Sequence, residues 1–185
     1  MFIRTERLFL RPGWPEDMPE LKQVLSEGER AHDVTPSAAS RIYAELRAYL
    51  ERPQESRLPQ FFINLRDDSG SKLIGSIGLV RSGAEVELRY WIARSYRGMD
   101  YAAEAVRAVL TQARTLGHRQ VVAAHFLDSE ASARVLEKTG FMPTGETRPR
   151  FSMVRGAEAP ARLYVARFAD KLFGLIGASG QPARS

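Results

Sequence analysis

Thr5-Glu-Arg-Leu-Phe-Leu-Arg sets a short apolar run, Leu8-Phe-Leu, among polar residues up to Pro12, which predicts an opening strand. Pro15 suits a first helical turn, and Leu21, Val24 and Leu25 recur at helical spacing until Glu27-Gly28, where the helix is expected to end. After a loop over 29–40, Ile42, Leu46, Tyr49 and Leu50 mark one side of a second helix over 40–52. The period then shortens. Phe61–Leu65, Lys72–Val80 and Glu85–Ile92 are short apolar runs separated by Asp67-Asp-Ser-Gly and Ser82-Gly, which predicts three strands in an antiparallel meander.

Helical spacing returns at Tyr101, with Ala102, Ala105, Val106, Val109, Leu110 and Ala113 on one stripe and Gly117 as its stop. Val121-Val-Ala-Ala reads as a buried strand, parallel to the one before because a helix intervenes. Asp128-Ser-Glu is expected to cap another helix that turns Ala131, Val135 and Leu136 inward and closes at Gly140. Strands over 141–150 and 161–168 complete the pattern. The expectation is an α+β (α/β) domain over 2–169, with a mixed, mostly antiparallel seven-stranded sheet and about four helices, followed by a flexible tail over 170–185.

Composition narrows the chemistry. With no cysteine, disulfides, thiolate metal sites and a cysteine nucleophile are excluded, and His32, His118 and His125 form no metal-ligand spacing. No metal is expected. The net charge of +5 raises the question of nucleic acid, but the arginines are dispersed and interleaved with acids, so no nucleic-acid partner is expected. No apolar run reaches the roughly 18 to 20 residues needed to cross a bilayer, and Met1-Phe-Ile-Arg-Thr-Glu-Arg lacks a signal layout, so a cytoplasmic protein without a membrane partner is expected.

Between the strand at Glu85 and the helix at Tyr101 stands Arg94-Ser-Tyr-Arg-Gly-Met-Asp-Tyr-Ala-Ala-Glu-Ala. It places a cation and a flexible turn where a helix begins, the local chemistry that holds a phosphate. This loop, the order of the elements, the opening Thr5-Glu-Arg-Leu-Phe-Leu-Arg-Pro and the block Ser132-Ala-Arg-Val-Leu-Glu-Lys-Thr-Gly-Phe together resemble the GCN5-related N-acetyltransferase (GNAT) superfamily. The branch resembled is the one that acetylates ribosomal-protein N-termini. The resemblance implies acetyl-CoA as cofactor, held in a cleft where a parallel strand pair splays. It implies cofactor contacts from Trp91, Ile92 and Ala93, from the loop Arg97, Gly98, Met99, Asp100, Tyr101 and Ala102, and from Ser129 and Ser132.

Two of these positions depart from the family pattern. Asp100 stands where a glycine is expected, and its carboxylate would repel a phosphate; aspartate nevertheless tolerates the left-handed backbone that glycine supplies. Ser129 stands where asparagine is usual. For both, helix capping is the plain structural alternative.

Acetyl transfer to an amine needs a neutral amine, stabilisation of an oxyanion and a proton for the departing thiolate. Glu87 is the candidate base, with pairing to a neighbouring arginine as its alternative. A backbone N–H around Trp91 to Ala93 would serve the oxyanion. Ser152 is a candidate donor or positioning residue, as against a surface turn. His125 ends the parallel strand and is a candidate shuttle or pocket residue, as against a structural histidine. The expected activity is acetyl-CoA-dependent N-acetylation of a primary amine, on a small molecule or a protein N-terminus, by direct attack on the thioester. A catalytically weak or inactive GNAT-fold binding protein is the rival that Asp100 and Ser129 favour. Dimerisation is common in the family, so a homodimer is a further expectation from the resemblance.

Overall fold

The computed structural model describes residues 1–30, 55–67, 70–152 and 157–169, with scattered positions between 40 and 50. The expected tail over 170–185 lies outside the described residues, as does much of the expected second helix; Tyr43 and Leu50, which are described, are helical. The strands are β1 (Ile3–Arg4), β2 (Leu8–Arg11), β3 (Gln60–Asp67), β4 (Gly70–Ser82), β5 (Glu85–Ile92), β6 (Gln120–Phe126), β7 (Met142–Ser152) and β8 (Ala157–Arg167). Three α-helices are described from end to end, α1 (Met18–Arg30), α2 (Tyr101–Thr115) and α3 (Glu130–Lys138).

The eight strands among the described residues join one sheet in the order β1-β2-β3-β4-β5-β6-β8-β7, antiparallel except for β5 against β6. Seven strands were expected. The eighth arises because Thr5 breaks the opening run: its N–H donates to the Leu8 carbonyl at 3.0 Å and its Oγ1 accepts from the Leu8 N–H at 3.0 Å, folding the run into a hairpin. Two helix expectations also change. α1 passes through Gly28 to Arg30, since one glycine inside a helix costs only about 1 kcal/mol. α3 buries Leu136 and half-buries Val135, but Ala131 is exposed, so a helix of nine residues meets the core through its later turns only. Its closure at Gly140 is as expected: Gly140 has φ of 91°, and the Phe141 N–H donates back to the Leu136 carbonyl at 3.0 Å.

Side-chain parity divides the sheet into two faces. Leu88 and Ile92 of β5, Val121 and Ala123 of β6 and Tyr164 of β8 join the α2 stripe and Leu136 in the main core. Trp91 turns the other way and packs with Leu21, Leu25, Phe62 and Leu73 in a smaller core under α1. Glu20 ties that helix down, its Oε1 accepting from the Leu73 N–H at 2.8 Å.

Gly75 on β4 lies opposite Ile92, at the end of β5 that leads into the loop. A Cβ there would sit 2.2 Å from the Trp91 carbonyl oxygen, a backbone atom without a rotamer to retreat to. Gly75→Ala is therefore expected to destabilise by about 1–3 kcal/mol, the usual cost of overpacking, read as a lower urea midpoint with an unchanged slope.

Candidate active site

The parallel ladder between β5 and β6 is short: Glu87 pairs with Val122 and Leu88 with Ala123, and there the recorded pairing ends. Beyond it β5 runs on to Ile92 and β6 to Phe126 with no ladder between them, and this break in the pairing is the splay. Ala93 is turned away from this gap, its N–H donating to the Ile74 carbonyl of β4 at 2.8 Å. Alternate residues of a strand point their N–H groups to opposite sides, so those of Tyr90 and Ile92 face the gap. The expectation of an oxyanion donor from Trp91 to Ala93 narrows accordingly, since the Ala93 N–H is committed. Trp91 contributes a half-buried ring to the α1 side.

Glu87 is buried, 4% exposed, on the Trp91 face. Its Oε1 accepts from Arg89 Nε at 2.9 Å, as the arginine-pairing alternative anticipated. Its Oε2 lies 3.4 Å from Arg150 Nε, an ion pair without the alignment of a hydrogen bond. Arg150 reaches this carboxylate from β7, so the β7–β8 hairpin and β5 are joined across the sheet face.

The loop after β5 begins with Ala93 and a 3₁₀ turn over Arg94–Tyr96. Arg97 Nε donates to the Ile92 carbonyl at 3.0 Å, which anchors the loop on the strand end. Gly98 has φ of 77° and Asp100 has φ of 67°, the latter alone among described non-glycine residues. Two left-handed residues around Met99 turn the chain into α2. Asp100 occupies the glycine-like backbone, but the capping alternative fails because its carboxylate makes no cap bond. It pairs instead with Lys138 Nζ at the end of α3, and that hydrogen bond holds the Asp100 carboxyl below its ordinary range. The first-turn N–H groups of α2, from Tyr101 to Ala103, thus lack a side-chain cap and lie beyond the intrahelical ladder. An anion at this terminus would meet those donors.

A second tie braces the loop from below. Glu104, in the first turn of α2, accepts from Thr5 Oγ1 at 2.6 Å, the Arg7 N–H at 2.8 Å and Arg7 Nε at 2.8 Å. Arg7 also donates to the Met99 carbonyl at 3.0 Å and lies 4.6 Å from the centre of the Tyr101 ring. The opening hairpin therefore holds the Met99 carbonyl on its own side. Arg7 and Glu104 are 97 residues apart, and no spacing in the sequence joins them.

His125 is not brought to Glu87. It shares parity with Val121 and Ala123 on the opposite face, 5% exposed, with its ring 5.3 Å from that of Tyr164. Its Nδ1 lies 2.9 Å from the Phe126 carbonyl, which can only accept, so Nδ1 carries the hydrogen and the buried Nε2 lacks a partner among the described residues. Tyr90 is on this face as well, and burial pushes its phenol up to about 12. Ser132 is near enough to oppose that shift slightly, yet the Tyr90 hydroxyl has no aligned hydrogen-bond partner among the described residues. Ser129 precedes α3 but makes no capping bond; its Oγ donates to Ser132 Oγ at 3.0 Å. Tyr90, Ser129 and Ser132 therefore form a polar group beside the splay. Ser152 ends β7 opposite Ala157, and its side chain lies outside the described residues. Among the described residues no group of His, Asp or Glu is arranged to hold a metal ion, and no described helix is long and apolar enough to cross a membrane.

Residues 7–142 match the family model described as an acetyltransferase (GNAT) domain, well over half the chain. The chain belongs to the GNAT acetyltransferase family. Solved GNAT structures agree with its fold. The microcin C7 self-immunity acetyltransferase MccE, solved with acetyl-CoA and AMP, is 13% identical with a TM-score of 0.72, covering 89% of this chain and 94% of its own. RimL, the ribosomal L7/L12 α-N-protein acetyltransferase, solved with coenzyme A, is 16% identical with a TM-score of 0.73, covering 90% and 98%. An acetyltransferase from Agrobacterium tumefaciens strain C58 is 23% identical with a TM-score of 0.66, covering 91% and 95%. No curated protein matches the sequence. The expected GNAT fold, a mixed and mostly antiparallel sheet with one parallel strand pair, is borne out, with eight strands where seven were expected.

Proposed function

We propose that this GNAT protein is an acetyl-CoA-dependent N-acetyltransferase acting on a primary amine of a small molecule or a protein N-terminus. The observation that carries the reading is a convergence: the β5–β6 ladder opens after two residue pairs, and the uncapped start of α2 follows a few residues downstream. Two solved relatives of the same fold hold acetyl-CoA or coenzyme A, which supports the same cofactor here.

Acetyl-CoA supplies an acyl group already activated as a thioester. The first turn of α2, from Tyr101 to Ala103, and the loop at Arg97 to Asp100 would hold its phosphates, and the splay edge at Tyr90 and Ile92 its pantetheine arm. The chain's own groups then divide the work. Glu87 takes the proton of the incoming ammonium, directly or through water, on the α1 face. The Ile92 N–H is placed to stabilise an oxyanion. The Tyr90 phenol stays protonated across the neutral range and offers a hydrogen bond to the departing thiolate. The chain has no cysteine, which is compatible with direct attack without a covalent acyl-enzyme.

Titration of the purified protein with acetyl-CoA by calorimetry tests the cofactor reading, and free-thiol release with a panel of amines tests the reaction. Micromolar binding together with amine-dependent thiol release is the expected result. Absence of binding would overturn the reading in favour of a GNAT-fold regulatory protein.

A further inference from the structure

We infer that Lys138 is the counter-charge that allows this chain to keep an aspartate in its cofactor loop. The inference rests on the acetyl-CoA reading above. An aspartate at position 100 satisfies the backbone demand, with φ of 67°, but brings a negative charge to the turn where a phosphate would dock. That charge is not left to solvent. Lys138 reaches it from the last residue of α3, a different helix, and the two side chains stay 52% and 45% exposed while paired. Arg107 and Arg7 add weaker attraction to the same carboxylate.

An exposed ion pair contributes little to folding, so stability is a poor explanation for it. Its larger effect is on a third charge. With Lys138 present, an incoming phosphate meets a neutral pair; without it, the phosphate meets a carboxylate beside donors that should attract it. Position 138 therefore acts on cofactor affinity through Asp100.

The test is a double-mutant cycle on the full chain, with acetyl-CoA titrated calorimetrically into the native protein, Lys138→Gln, Asp100→Gly and the double variant. Lys138→Gln is expected to weaken binding by about tenfold or more, the double variant to regain that loss, and Asp100→Gly to bind at least as tightly as the native protein. Lys138→Arg should retain affinity, and the Lys138→Gln defect should shrink between low and high salt, which a loss of folding would not do. An equal loss from Lys138→Gln in both backgrounds would make Lys138 a direct ligand or a structural residue and overturn the inference. So would unchanged affinity in Lys138→Gln when the native protein binds. If none of the four proteins binds acetyl-CoA, the cofactor reading itself fails and the inference falls with it.

Discussion

Glu87→Gln is expected to lower kcat for amine acetylation by about 10²- to 10⁴-fold, the range typical of losing a positioned base, while acetyl-CoA affinity stays within about threefold. The separation follows from the two faces of β5. Glu87 lies on the α1 face with Trp91, whereas Tyr90 and the start of α2 lie on the other. Glutamine keeps the shape and can still accept from Arg89, but it cannot take a proton. It also leaves Arg150, only 20% exposed, beside a neutral group, and a stability loss of about 1–3 kcal/mol should accompany the rate loss.

That second effect makes the prediction discriminating. A purely structural tie between β5 and the β7–β8 hairpin would lower stability and spare kcat. Stability loss with an unchanged kcat would remove Glu87 from the mechanism.

The fold was legible where periodicity carries it. The change from helical spacing to short runs at Phe61, and back again at Tyr101, placed the meander and the parallel crossover because apolar parity reports burial directly. The Thr5 turn was not legible, since Thr5-Glu-Arg carries no glycine, proline or asparagine to mark it and the bonds between Thr5 and Leu8 that make it are seen only in the structure. In the site, the position of the loop was readable but its partners were not. Lys138 and Asp100 are 38 residues apart and meet only because α3 ends near the start of α2.

His125 differs in kind. Its place at the strand end suggested the cleft, and its side chain lies buried beside Tyr164. Its face was also readable, because 125 shares parity with Val121 and Ala123, whose apolar side had to be core.

Glu104→Gln is expected to cost about 2–3 kcal/mol at pH 7 and to weaken acetyl-CoA binding by about tenfold. The stability figure lies below that for a fully buried pair because Arg7 is 40% exposed, although Glu104 is only 13% exposed. Burial alone would push the Glu104 carboxyl up. The Thr5 hydroxyl, the Arg7 N–H and the Arg7 guanidinium outweigh burial and hold it below its ordinary range. A depressed carboxylate stabilises the fold fully above its unfolded value of about 4.3, and that contribution fades as pH falls through the lower, folded value. The gap between native protein and Glu104→Gln in urea unfolding should therefore be complete at pH 7 and narrow below about pH 4. Binding follows from the same contacts. Once Glu104 no longer grips Arg7, the guanidinium's bond to the Met99 carbonyl loses its anchor, and the peptide between two left-handed residues is free to turn its oxygen toward the cofactor side. Arg7→Lys retains a charge but not the fork that spans Glu104 and Met99, so it should recover stability better than affinity. Equal recovery of both would reduce the brace to an ordinary surface ion pair.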